Sequence, residues 1–122
     1  MGHPQWEVEY YEKKNGDCPV ADFLDRLPAK EQVYVTNAID RLEEHGSALD
    51  RPHSGYLRDH IRELRIKVRR VLYRILYSHC GDNIIVLLLG IRKQSPKVRD
   101  ADIDKAIEYR NDYVARTRRV IE

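Results

Sequence analysis

Long apolar runs are missing from this chain. The longest, Ile84 to Leu89, falls far short of the roughly 20 residues that cross a bilayer and reads as a buried strand. The N-terminus carries no apolar stretch of the signal-peptide kind, so a cytoplasmic protein without membrane contact is expected. Cysteine is scarce. Cys18 and Cys80 have no C-x-x-C spacing and no histidine cluster beside them, so neither a metal site nor another cofactor is expected. Both are read as reduced thiols, with a lone disulfide as the alternative. Internal repeats, Gly/Ser-rich linkers and low-complexity tracts are also absent, which leaves one domain over residues 1–122, long enough to bury a core.

What is present is charge, unevenly placed. Charged residues make up 34% and hydrophobic ones 42%, an ordinary globular balance, and the net charge is only +2. From Met1 to Leu57 there are 6 Lys+Arg against 11 Asp+Glu, net −5. From Arg58 to Arg99 there are 11 against 3, net +8; from Asp100 to Glu122 there are 5 against 6, net −1. A basic segment between acidic and near-neutral flanks is the footprint of a partner that carries phosphate or acidic groups.

Gln5 to Glu12 alternates as a strand, with Trp6, Val8 and Tyr10 on one face. After a turn at 13–17, Asp17 is placed to cap a short helix from Pro19 to about Arg26. A second helix runs from Pro28 to about His45, with Val35, Ile39 and Leu42 as its apolar stripe and Gly46 as its stop. Residues 47–55 form a loop, and a short strand begins near Gly55. Next come His60 to about Val68, Val71 to Ser78, and Ile84 to Gly90, all strands. The link at Arg69-Arg70 lacks the glycine or asparagine that tight hairpins prefer, so its geometry stays open; Gly81-Asp82-Asn83 is a better turn. A last helix starts at Pro96 or Asp100 and ends near Arg118, burying Ile103, Ile107 and Val114. The fold class is α+β: a small antiparallel sheet, mostly a meander, with an N-terminal helical hairpin on one face and a C-terminal helix.

The strand from His60 concentrates the cations. Leu64, Ile66 and Val68 fall on one face, and Glu63, Arg65, Lys67 and Arg69 on the other. Arg74 lies in an otherwise apolar strand, where a cation is costly unless paired, hydrated or facing a cleft. A solvated strand face is the simple reading of Arg65 and Lys67 taken alone.

Glu63-Leu-Arg-Ile-Lys67, Tyr73-Arg-Ile-Leu-Tyr77, Ile84 to Gly90 and Arg92-Lys93 resemble the core of the RelE/ParE toxin superfamily. With Trp6 to Tyr11, Pro19 to Leu24 and Asp112-Tyr113, the ordered set resembles its phage-derived, HigB-like branch. The resemblance implies a sheet covered on one face by the N-terminal helices and concave and basic on the other. It implies the toxin of a type II toxin–antitoxin system: a metal-independent endoribonuclease that cleaves mRNA on the ribosome and is neutralised by a cognate antitoxin, often a helix-turn-helix protein. ParE-like members instead poison DNA gyrase, and a third possibility is an inactive, phage-derived antitoxin-binding module. RelE-like enzymes have two basic residues two apart and an arginine seven after the second, as in Arg65, Lys67 and Arg74, then a later cation, here Arg92-Lys93. No tyrosine lies between Tyr77 and Tyr109, where those enzymes place a catalytic one.

The resemblance therefore nominates Arg65, Lys67, Arg74 and Lys93 as catalytic, with Arg58, Arg62, Arg69, Arg70 and Arg92 as RNA contacts. Arginine suits the phosphorane, since its planar fork holds phosphate oxygens; this role goes to Arg74 and Arg65. Lys67 is the candidate base, and Lys93 a contact to the leaving group or phosphate. Glu63 is placed to orient an arginine or to accept a proton. His53 and His60 flank the basic strand and are either surface residues or able to serve as acid or base. Tyr56 either stacks a base or packs on the helices; Tyr109 and Tyr113 either pack the last helix or stand in for the absent tyrosine.

Overall fold

The computed structural model describes residues 6–93 and 96–122. In chain order the elements are β1 (Glu7–Tyr10), α1 (Pro19–Asp25), α2 (Ala29–His45), a 3-10 turn (Gly46–Ala48), β2 (Ser54–Arg58), β3 (Ile61–Val68), β4 (Val71–His79), β5 (Ile84–Lys93) and α3 (Asp100–Thr117). The sheet order is β1-β5-β4-β3-β2. β2 to β5 form an antiparallel meander, and β1 adds to β5 in parallel. The α1–α2 hairpin carries the chain from β1 at one sheet edge to β2 at the other. The expected α+β class and helix placement are what the chain adopts.

Two apolar layers sandwich the sheet. α1 and α2 bury Val20, Val35, Ile39 and Leu42 against Leu64, Ile66, Tyr73, Ile75 and Tyr77, with Trp6 and Phe23 packed alongside. α3 buries Ile103, Ala106 and Tyr113 against Ile61, Leu76, Val86, Leu88 and Ile91. The second face is therefore covered by α3 rather than open and concave. β4 and β5 are apolar on both sides, and leaving that much apolar surface in water would be costly. The buried stripe of α3 is Ile103, Ala106, Arg110 and Tyr113; Ile107 and Val114 are only partly buried at its margin.

Local signals held with small corrections. Asp17 does not cap α1: Cys18 is the cap residue, and the Asp17 carboxylate accepts from Asn15 Nδ2 within the turn. α2 ends at Gly46, at φ 52°. α3 begins at Asp100 with Arg99 as its cap, and Asp100 and Asp102 in the first turn suit the helix dipole; Ser95, which would cap a helix starting at Pro96, lies outside the described residues. Asp59 and His60, at φ 51° and 65°, make the two-residue turn between β2 and β3.

The Arg69-Arg70 connection is a two-residue hairpin closed by the Val68–Val71 pair, with Arg69 at φ 57°. A positive φ costs an L-residue with a bulky side chain but not glycine. Arg69→Gly is therefore expected to raise stability by about 0.5–1 kcal/mol after glycine's own entropic cost, read as a higher urea midpoint at unchanged m.

α3 is clamped to β1 and the residues after it. Tyr113 Oη donates to Glu9 Oε1 at 2.7 Å, and Arg119 Nη1 donates to Glu9 Oε2 at 2.8 Å. Tyr11 Oη donates to Asp112 Oδ2 at 2.6 Å, where Arg116 Nη2 also binds at 2.8 Å. Burial alone would raise the Glu9 carboxyl, but the hydrogen bonds from Arg119 and Tyr113 and the Arg119 charge hold it below its ordinary value. Hydrogen bonds from Tyr11 and Arg116 hold Asp112 low as well. Burial, with the Asp112 contact, pushes Tyr11 up to about 12. A depressed carboxyl contributes stability above its unfolded-state value and loses it as pH falls through the lowered one. Glu9→Gln and Asp112→Asn should thus lower the melting temperature at neutral pH. Each deficit should shrink towards zero as the pH drops below the ordinary carboxylate range. A deficit constant with pH would mean the clamp does not depend on ionised carboxylates.

Candidate nucleic-acid interface

β2 pairs with β3 only as far as Ser54 opposite Leu64. Beyond it the Arg65 N–H donates to the His53 carbonyl at 2.8 Å, and the edge of β3 then opens into a cleft. The cleft encloses about 1110 Å³. β3 and its hairpin turn contribute Arg65, Lys67, Arg69 and Arg70 to the lining. The loop before β2 contributes Arg51 and His53, and α2 contributes Tyr34, Asn37 and Arg41. Tyr34, Asn37 and Arg41 are three and four residues apart, hence one stripe of the helix. Tyr34 is 54% exposed, an aromatic face open to a base. His53 Nδ1 lies 3.5 Å from Arg41 Nη1.

The nominated residues divide. Arg65, Lys67, Arg69 and Arg70 come together at the cleft. Arg74 does not face it openly. Its register partner is Arg65, so it does turn to the same sheet face, but it is fully buried. Arg74 Nε donates to Glu63 Oε1 at 2.8 Å, and Nη2 donates to the Pro96 carbonyl at 2.7 Å. Glu63 is itself buried, and its Oε2 lies 3.6 Å from Arg65 Nη1. Lys93 occupies the β5 register position opposite Leu72, which also pairs with Lys67; its side chain lies outside the described residues.

Three nominated RNA contacts point elsewhere. Arg58 sits at the α3 side, 2.8 Å from both Asp59 and Asp104, whose hydrogen bonds push its guanidinium pKa up. Arg62 pairs across the sheet with Tyr77, on the α2 face, and approaches Asp50 at 3.9 Å. Arg92 pairs with Tyr73 on that same face and donates to its hydroxyl at 3.2 Å. The Tyr73 hydroxyl in turn donates to Glu31 at 2.9 Å. For Arg62 and Arg92 the physical reason is strand alternation, since one position of offset sends a cation to the opposite face; Arg58, opposite Ile61, is held at the hairpin end of the α3 face by Asp59 and Asp104.

The tyrosines resolve as well. Tyr73 and Tyr77 are core, Tyr109 stacks on Tyr11 at 4.8 Å, and Tyr113 lies on the buried face of α3. Tyr56 is exposed, and its hydroxyl accepts from the His60 N–H, away from the cleft. Arg41, Arg51, Tyr34 and Asn37 were not singled out from the sequence. Only the helical spacing of Tyr34, Asn37 and Arg41 could have signalled them.

Chemically, the cleft gathers guanidinium and ammonium groups beside one imidazole and one exposed aromatic ring, the kind of group set that can hold phosphates. Among the described residues no group of three His, Cys, Asp or Glu is placed to hold a metal ion, and no helix is long and apolar enough to cross a membrane. No curated protein matches the chain. A family model described as phage-derived protein Gp49-like (DUF891) matches residues 22–111, from α1 into α3, and so spans every cleft residue. That family groups with the RelE and HigB-like toxins, which is consistent at this coarse level with a toxin of a toxin–antitoxin pair. Fold, cleft and match agree that the chain belongs to the Gp49-like family of phage-derived proteins, within the RelE/HigB-like toxin superfamily.

Proposed function

We propose that the chain is the toxin of a type II toxin–antitoxin system and an endoribonuclease that cleaves mRNA on the ribosome without a metal. The observation that carries this reading is the cleft itself, where Arg65, Lys67, Arg69 and Arg70 meet Arg41, Arg51 and His53. Single-stranded RNA offers closely spaced phosphates to such a surface, and Tyr34 offers a stacking face beside it. Arg65 stabilises charge on the phosphorane. Lys67 takes the proton from the 2′-hydroxyl, and His53 or Lys93 returns one to the leaving oxygen. Arg74 supports this set from beneath. The same basic surface suits an acidic segment of a cognate helix-turn-helix antitoxin, which would block it.

The test is induction in bacteria with mapping of mRNA 5′ ends, beside Arg65→Ala and Lys67→Ala. New in-frame ends are expected with the native chain. Loss of one charge-stabilising group should cut cleavage by about 10²–10³-fold. In RNA-binding titrations, each lost phosphate contact should reduce the salt slope by about 0.7. The burial of Arg74 favours a second reading, a ParE-like gyrase inhibitor, in which the fold binds rather than cleaves. Growth arrest with DNA damage and no new 5′ ends would select it and sink the ribonuclease.

A further inference from the structure

We propose that Glu63 is a positioning residue for the cleft. Its carboxylate joins buried Arg74 through one oxygen and faces Arg65 with the other, so that Arg74 acts on a bound RNA through Glu63 and Arg65. The RNA in this statement rests on the ribonuclease reading; the linkage rests on geometry.

The three groups are neighbours on one sheet face. Arg65 and Arg74 are direct register partners, and Glu63 lies two residues before Arg65 on β3. Arg74 is fully buried and gives Glu63 Oε1 a 2.8 Å bond from Nε. Its Nη2 bond to the Pro96 carbonyl fixes the other side of the guanidinium plane. That double hold sets where Oε2 points.

Oε2 points to the cleft rim. Arg65 Nη1 stands 3.6 Å away, too far for a hydrogen bond but close enough for the charges to attract. Arg65 is thus steered without its donors being consumed, and its side chain keeps 29% exposure. Arg51 lies on the Gly55 side of the same carboxylate. A Cβ at Gly55 would come to 3.6 Å from both Arg51 Nη2 and Glu63 Oε2. Gly55 is the register partner of Glu63, and such a Cβ would make only ordinary contacts. One carboxylate thus stands between two guanidiniums, those of Arg65 and Arg74. The buried one is matched, and the cleft keeps the excess positive charge.

A packing-only ion pair would need Glu63 and Arg74 but would leave Arg65 indifferent, and that difference is measurable. The first measurement is the Arg65 Nε–Hε NMR signal in the free protein, assigned through Arg65→Lys. It should shift in Glu63→Gln. Because removing one partner of a buried pair can unfold the chain, the second variant is Glu63→Leu with Arg74→Met, which removes both charges at similar volume.

In the native background Arg65→Ala should weaken binding of a short single-stranded RNA oligonucleotide by about tenfold, as loss of a charge-assisted contact does. In the Glu63→Leu/Arg74→Met background the same substitution should cost less than about twofold, since coupled residues are non-additive. Equal losses in both backgrounds, or an Arg65 signal unmoved when the pair is removed, would overturn the proposal. If coupling and NMR shift are found but no variant or native chain cleaves RNA, the positioning role stands and the ribonuclease reading falls. If the native chain does not bind the oligonucleotide, the NMR shift alone decides.

Discussion

Glu63→Ala is expected to cost about 3–5 kcal/mol of folding stability, because it strands a buried guanidinium without its carboxylate. Arg74 is fully buried in the middle of β4, between the two apolar layers. A guanidinium there has lost its water, and removing the carboxylate removes its charge-assisted bond with no solvent to replace it. The Pro96 carbonyl supplies a dipole to Nη2, which is not an equal substitute for the Glu63 charge at 2.8 Å. The loss should appear as a lower urea midpoint with unchanged m. Glu63→Leu combined with Arg74→Met should recover most of it, since a well-packed apolar pair often equals a buried ion pair. A Glu63→Ala loss under about 1 kcal/mol would mean that water reaches Arg74 in solution.

Gly46→Ala should be nearly as damaging, with an expected cost of about 3 kcal/mol or more from overpacking and backbone strain together. Gly46 ends α2 at φ 52° and ψ −125°, a region almost confined to glycine. The Trp6 ring lies directly on it: an added Cβ would sit 1.9 Å from Trp6 Cε2. The ring also makes an edge contact with His79 at 5.3 Å, which its displacement would disturb. Trp6 is the sole tryptophan, so its fluorescence reports the displacement directly. The expected result is a changed emission maximum with a strongly lowered melting temperature. An unchanged spectrum and a shift of only a degree or two would contradict the close contact. The loop that follows Gly46 carries Arg51 and His53, so a milder variant here should also disturb the cleft.

The position of Gly46 was legible as a helix stop, but not its contact with Trp6. That contact joins the first strand to a helix end forty residues later, and no local pattern encodes it. Arg74 was legible as an anomaly, since an arginine among apolar residues must be paired or functional. Which partner it takes depended on two further facts. The hairpin at Arg69-Arg70 had to close in two residues to set Arg74 opposite Arg65. The chain after β5 had to bring the Pro96 carbonyl over it. Similarly, Arg58, Arg62 and Arg92 read as part of one basic segment. Strand alternation sends Arg62 to the α2 face, the register shift at Leu76/Tyr77 sends Arg92 there too, and Asp59 and Asp104 hold Arg58 beside α3.

By itself the sequence determined the α+β class, both N-terminal helices, the alternating face of β3 and a basic middle segment. It also carried the spacing of Arg65, Lys67 and Arg74. These are local properties: hydrophobic period, capping chemistry and the count of charges along the chain. Only the tertiary structure decided that α3 closes the second face and that Arg74 is paired rather than open. It alone brought Arg41, Arg51 and Tyr34 to the cations of β3. Each of those outcomes depends on contacts between residues distant in the chain, where burial and register, not propensity, set which groups meet.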